Sequence, residues 1–306
     1  MLTRAIDHYR EETKETLVSA CRLLGVNRQV YYRRKKAGRE KLETAKKVVS
    51  LVGDIRMQMS RIGTRKLNYL LKDQLRELGV GRDKLFTILR ANQMLIKPDR
   101  SYQKTTDSHH CFYKHKNLVA QLTPSRPEQV WASDITYLGS HRNYQYLALV
   151  TDVYSKKIVG YDVSSSLSAE GAIRALNMGL KQRTYPDMEL IHHSDRGFQY
   201  CCDEYQEILN KINIRCSMTE SYDPYANAVA ERVNGILKQE FILDRFDVKL
   251  PVMKEMVNNS IQIYNQLRPH LSCYMKTPDQ MHKQAQIKIK TYRKNGRIKA
   301  NLYAAR

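Results

Sequence analysis

Residues 130–138 read VWASDITYL, and this stretch decides the fold. β-Branched and aromatic residues dominate it, which is strand composition. Asp134, between Trp131 and Ile135 in an otherwise apolar run, does not suit a plain strand. A carboxylate placed there is costly unless something pairs with it. Working downstream, 144–151 (YQYLALVT) and 157–163 (KIVGYDV) repeat the strand composition after gaps of five residues each. Links that short predict an antiparallel meander. The pattern then alternates: a helix over 168–183, a strand over 188–193 (MELIHH), a helix over 199–210, a strand over 212–218 (INIRCSM), and long helices over 226–246 and 252–266. The expected architecture is α/β, a mixed five-stranded sheet flanked by helices.

Two further acids stand where a sheet of this kind places chemistry. Asp195 ends the fourth predicted strand, in HHSDRGFQY, and ligands of open sheets gather at strand C-terminal ends. Glu231 lies in the predicted helix YANAVAERVNGILKQEF, where Ala228, Glu231, Gly235, Lys238 and Ile242 share a face. Asp195 and Glu231 are separated by 35 residues. Three carboxylates can hold a pair of Mg²⁺ ions roughly 3.5–4 Å apart, an arrangement suited to in-line displacement at phosphorus. Taken singly, Asp195 beside Arg196 and Glu231 beside Arg232 read equally well as salt bridges or caps; Asp134 has no adjacent basic partner. Asp152 reads as a turn or cap residue rather than a fourth ligand.

Upstream, 16–36 (TLVSACRLLGVNRQVYYRRKK) reads as two helices joined by a tight turn, with Gly25 stopping the first and Asn27 capping a basic second one that carries Arg28, Arg33 and Arg34. Residues 64–96 repeat the scheme around Gly79 and Gly81, with Lys84 on the second helix. This is helix-turn-helix grammar, although any αα-hairpin looks similar. The divisions expected are a helical DNA-binding region over 1–96, a linker over 97–128, a catalytic core over 129–247, and a C-terminal helix with a basic tail over 248–306.

The 306 residues carry a formal charge of +21, unevenly spread. Residues 1–126 hold +16, residues 127–282 hold −3, and the last 24 hold +8. Basic segments attract polyanions, and the abundant intracellular ones are nucleic acids. A 42% hydrophobic content argues against disorder, and no apolar run is long enough to span a membrane. Six cysteines without a CxxC pair suit a reducing compartment. His109, His110 and Cys111 are poorly spaced for zinc.

The motifs WASDITYL, VTDVYSKKIVGY, HHSDRGFQY, YANAVAERVNGILKQE and YNQLRPHLSCYMKTPDQ occur together and in order. Residues 131–239 resemble the catalytic core of the retroviral integrase superfamily of DDE transposases. The whole chain resembles the second-frame (OrfB-type) transposases of the IS-three family of bacterial insertion sequences. The resemblance implies a ribonuclease H-like fold, a catalytic and metal-binding triad of Asp134, Asp195 and Glu231, and Mg²⁺- or Mn²⁺-dependent DNA cleavage and strand transfer. It also implies that Lys238 contacts element-end DNA. Further DNA-contact candidates are His193, Arg196, Arg268, Arg28, Arg33, Arg34 and Lys84. Expected partners are double-stranded DNA (terminal inverted repeats and target), further copies of the chain on DNA, and an upstream first-frame protein or fusion; the expected place is the bacterial cytoplasm, at the nucleoid. Phe198 and Ala226 depart from residues common in these motifs and bear on DNA fit. The competing readings are a non-catalytic DNA-binding regulator of element ends and a metal nuclease that cuts without joining.

Overall fold

The computed structural model describes residues 2–97, 115–120, 122–139, 144–219 and 227–288. The chain divides into two compact units, one of residues up to 58 with 62–97, the other of 59–61 with the described residues from 115 onward. His109, His110, Cys111, Ala226 and the tail beyond 288 lie outside the described residues.

The first unit is all helical: α1 (Leu2–Thr13), α2 (Leu17–Leu23), α3 (Arg28–Gln58), α4 (Thr64–Leu70), α5 (Lys72–Glu77) and α6 (Arg82–Ala91). The Thr16 hydroxyl accepts the Ser19 N–H at 3.2 Å and starts α2. Gly25 turns the chain at φ +63°, a conformation that favours glycine. Asn27 Oδ1 accepts the Gln29 N–H at 2.8 Å and starts α3. Ile6, Ala20, Cys21 and Tyr31 bury together and hold α1, α2 and α3 as one cluster. Two details differ from the sequence reading. The basic second helix runs on for 31 residues. The expected helix from residue 64 breaks at Leu71, whose ψ of 16° leaves the helical range.

The second unit is built on a five-stranded sheet of β1 (Val130–Leu138), β2 (Gln145–Asp152), β3 (Ile158–Ser164), β4 (Ile191–Ser194) and β5 (Arg215–Met218). The strand order is β3-β2-β1-β4-β5. The first three strands form the antiparallel meander, and β4 and β5 run parallel to β1. Helices α7 (Ala169–Lys181), α8 (Phe198–Cys201) and α9 (Asp203–Lys211) alternate with the later strands, followed by α10 (Ala228–Gln239), α11 (Leu250–Gln266) and α12 (Pro278–His282). Trp131, Val150, Leu176, Tyr205 and Leu209 lie in the core between sheet and helices. At Gly160 an added Cβ would sit 2.0 Å from the Ala175 carbonyl oxygen, so α7 meets β3 only through a glycine.

Residues 115–120 and 122–128 do not behave as a linker. The Leu118 N–H donates to Ser217 Oγ at 2.9 Å, the Met218 N–H to the Lys116 carbonyl at 3.4 Å, and Glu128 is wholly buried. The predicted helix over 199–210 is two helices, because Cys202 adopts an extended backbone. Asp152 is the turn residue expected: its carboxylate accepts the Ser155 N–H and hydroxyl at 2.7 Å each, and the Glu128 N–H at 2.7 Å.

Asp152 also belongs to a buried polar cluster that fastens α12 to the sheet. His282 Nε2 lies 3.3 Å from Glu128 Oε1, and its Nδ1 lies 3.0 Å from Ser155 Oγ and 3.8 Å from Asp152 Oδ1. Burial opposes the Glu128 charge, but His282 and the Thr184 and Tyr185 N–H groups outweigh it and bring its pKa down to about 2. Burial likewise opposes the His282 charge, and Asp152 and Glu128 outweigh it, so the imidazole pKa rises above 6.5. The depressed Glu128 contributes stability above its ordinary 4.5 that is lost as pH falls toward 2. The raised His282 contributes stability below 6.5 that is lost as pH rises through its folded value. The melting-temperature difference between wild type and His282→Gln is therefore expected to be largest between pH 4.5 and 6.5 and to shrink on both sides. A difference that stays constant from pH 5 to pH 9 would remove His282 from this role.

Candidate active site

Strand order brings the two aspartates together. β1 and β4 are parallel neighbours in the register Val130↔Ile191, Trp131↔His192, Ala132↔His193. Continuing that register by two residues sets Asp134 beside Asp195, on strands about 4.8 Å apart. Asp195 follows the last residue of β4, and its Oδ1 accepts the Gly197 N–H at 3.0 Å.

Helix α10 delivers the third acid and is laced along β1. Asn227 Nδ2 donates to the Ser133 carbonyl at 3.0 Å, Asn234 Nδ2 to Asp134 Oδ2 at 2.8 Å, and Lys238 Nζ to Thr136 Oγ1 at 3.4 Å. Glu231 stands on the first turn of this helix, exposed. Among the described residues, no three His, Cys, Asp or Glu side chains stand close enough to enclose one ion. The three acids lie within electrostatic reach of one another but do not enclose a common point.

The acids feel one another's charge. Burial, then Asp195, then Glu231 push the Asp134 pKa up to about 7, with the Asn234 bond pulling the other way. Burial and Asp195 also raise Glu231. Burial lowers the Lys238 ammonium, and Asp244 and Asp134 pull it partly back. Two buried polar atoms here, Tyr200 Oη and Asn234 Oδ1, have no hydrogen-bond partner among the described residues. Mutually repelling hard oxygen donors with orphaned polar atoms around them fit a divalent cation.

The other candidate residues separate into three groups. Arg28, Arg33 and Arg34 on α3 and Lys84 on α6 are exposed. Arg196 is half-buried beside Asp195. His193 and Arg268 are corrections. His193 is 1% exposed, with Nδ1 at 2.9 Å from Ser217 Oγ, and faces a cavity of about 120 Å³ shared with Val119, Asn227 and Val229. Strand β4 is central in the sheet, so neither of its histidines reaches the surface; His192 is wholly buried against Ser133 Oγ and Tyr205 Oη. Arg268 is 2% exposed, and its guanidinium grips Glu240 at 2.8 and 2.7 Å and His270 at 2.7 Å. Sequence reasoning missed Asn227, Asn234 and Tyr200. Asn234 was visible as the residue one helical turn after Glu231, and Tyr200 as the last residue of HHSDRGFQY.

Comparison with known proteins gives consistent matches. Two family profiles, each described as an integrase core domain, match residues 124–224 and 212–278. The chain is 33% identical over 260 residues to the insertion element IS600 uncharacterized 31 kDa protein of Shigella sonnei, covering 82% of this chain and 92% of that one. It is 35% identical over 198 residues to transposase InsF for insertion sequence IS3fB of Escherichia coli, covering 64% of this chain and 68% of that one. Among solved structures, the HTLV-2 integrase catalytic core domain in complex with magnesium matches with a TM-score of 0.41 at 21% identity, over 51% of this chain and 97% of that one.

Proposed function

The chain belongs to the IS-three-type insertion-sequence transposases with an integrase core, and on that footing we propose that its chemistry runs on Asp134, Asp195 and Glu231. It is a polynucleotidyl transferase of the DDE class, acting in DNA transposition on a ribonuclease H-like fold. The observation that carries the assignment of residues is that β1, the end of β4 and α10 bring three acids within electrostatic reach of one another: Asp195 and Glu231 raise the Asp134 pKa, and Asp195 raises that of Glu231.

Asp134 and Asp195 would hold Mg²⁺ or Mn²⁺, with Glu231 as the third donor. Bound there, such ions activate an attacking oxygen and stabilise the leaving one at phosphorus. Asn234 fixes one oxygen of Asp134, and the Gly197 N–H fixes one oxygen of Asp195, so both carboxylates present a set orientation. Lys238 places a cation on the same helix face, positioned for a phosphate of the element end. The overall change is hydrolysis of one phosphodiester to free a 3′-hydroxyl, followed by attack of that hydroxyl on a second. One P–O bond forms for each one broken, so no external energy source is required.

Binding is assigned to the basic helical unit, where the exposed Arg28, Arg33, Arg34 and Lys84 would meet phosphates of the terminal repeats and target. Joining two ends calls for at least two copies of the chain. Among the described residues no helix is long and apolar enough to cross a membrane. The proposed place is the bacterial nucleoid, where the DNA lies. Nothing in the site favours the non-catalytic alternative.

The test is strand transfer on labelled duplexes carrying the element ends. Joined product is expected with Mg²⁺ or Mn²⁺ and none with a chelator, while binding to the same duplex persists and weakens steeply with salt. Nicked product without joining would support the nuclease reading instead. Joining in excess chelator would end the metal assignment.

A further inference from the structure

Tyr200 lies in α8, the short helix directly after Asp195, and is 3% exposed. Its ring is fixed by an edge-on contact with Tyr205, centroids 5.5 Å apart at 85°, and by the His192 ring at 6.3 Å. Several of the polar groups around it are partnered. Tyr205 Oη and Ser133 Oγ meet His192 Nε2 at 2.9 and 2.8 Å, and Gln206 Nε2 donates to the Tyr200 carbonyl at 2.6 Å. The Tyr200 hydroxyl is buried with no hydrogen-bond partner among the described residues. Such a group destabilises a fold, and phenylalanine would fill the same shape without it. Packing therefore does not explain the hydroxyl.

Its surroundings do. Asp195 Oδ1 and the Tyr200 ring border the same glycine: a Cβ added at Gly197 would lie 3.0 Å from that oxygen and 3.7 Å from Tyr200 Cδ2. After burial, the charges that act on the phenol are Asp195 and then Asp134, and all raise its pKa. A phenol hydroxyl is a donor and a carboxylate an acceptor, so the unpartnered group and the nearby acid are complementary. We propose that Tyr200 is a positioning residue whose hydroxyl hydrogen-bonds the Asp195 carboxylate in the ion-loaded enzyme, a role that rests on the three-acid centre proposed above. The bond locks the aspartate in the orientation that receives the ion.

The experiment follows the melting temperature of the full chain during Mg²⁺ and Mn²⁺ titrations, with strand transfer as a second readout, for wild type, Tyr200→Phe and Asp195→Asn. For Tyr200→Phe the ion-free melting temperature is expected to match or slightly exceed wild type. Its half-saturating ion concentration is expected to rise roughly 10- to 100-fold, the usual effect of removing a hydrogen bond to a metal ligand. Joining recovers at high ion concentration. Asp195→Asn is expected to lose the ion response altogether. If Tyr200→Phe titrates like wild type while Asp195→Asn does not respond, the Tyr200 role is overturned and the acid centre stands. If Asp195→Asn responds like wild type, the acid centre fails and the Tyr200 role fails with it. A Tyr200→Phe protein that melts well below wild type without ions, or does not fold, would show that the hydroxyl is already partnered in the ion-free fold, which also overturns the proposal.

Discussion

Asp195→Asn is expected to lower strand transfer by about 10³-fold or more while leaving binding to element ends unchanged. The magnitude follows from what an ion-holding carboxylate supplies. Lewis-acid stabilisation of the reacting phosphate is worth several kcal/mol, and about 4 kcal/mol corresponds to about 10³ in rate. Asparagine keeps the shape and can still accept the Gly197 N–H through its amide oxygen, so the turn after β4 survives. What disappears is one negative charge. Asp195 is the largest cause, after burial, of the raised pKa at both Asp134 and Glu231, so the variant relaxes both toward their ordinary values. The ion-free protein is accordingly expected to melt at or above the wild-type temperature, and to lose the upward shift that divalent ions give. That opposite movement of stability and activity separates a site acid from a structural one: a structural aspartate lost from the end of a central strand would lower both. Joining by the variant within a few-fold of wild type would end the assignment.

The aspartates show how far local pattern carries. Strand composition marks β1 from Val130 to Leu138 with the bounds the structure has, because β-branched and aromatic residues fit a pleated surface wherever they occur. The cap at Asn27 and the turn at Gly25 are equally local, since a side-chain acceptor and a left-handed φ are set within three residues. Asp134 stands out for a local reason too: it is an acid among apolar neighbours. Its meeting with Asp195 is not local. It depends on β4 joining the sheet beside β1 rather than at the free edge of β3. Short distances in sequence misled in the other direction. The break at Cys202 contains no proline or glycine, and only the backbone itself records it. The His282 cluster joins residues 154 apart and left no periodic trace. Residues 115–128 look like a tether in sequence, proline-containing and aperiodic, yet the backbone at Lys116 and Leu118 is bonded to β5. In each case the missing information is tertiary pairing, which composition does not encode.

Arg268 is the sharpest instance, and it carries the second large effect. In sequence, an arginine before Pro269 and His270 at the end of a helix reads as a DNA or intersubunit contact. In the fold it is enclosed, with two guanidinium nitrogens on the Glu240 carboxylate, a third on His270, and its plane 5.7 Å from the Tyr264 ring centre. Arg268→Ala is expected to destabilise the protein by about 3–5 kcal/mol, because it leaves the Glu240 charge enclosed without its partner. For a unit of this size that is a fall in melting temperature of roughly 6–20 °C. Lysine is expected to rescue little of it, since an ammonium cannot reproduce the planar fork. Removing both charges, as Arg268→Met with Glu240→Gln, is expected to restore most of the loss, because the main penalty in the single variant is the stranded carboxylate rather than the missing bond. Element-end affinity per folded molecule is expected to be unchanged in all three variants, measured below their melting temperatures. The pattern that would return Arg268 to the DNA surface is the reverse one: an unaltered melting curve for Arg268→Ala together with weaker binding and a shallower salt dependence. Glu240 closes α10, the helix that carries Glu231, Asn234 and Lys238, so the same ion pair is what holds the end of the catalytic helix against the segment after α11. Its loss is therefore expected to reach the active site through the helix, lowering strand transfer at temperatures where binding is still intact.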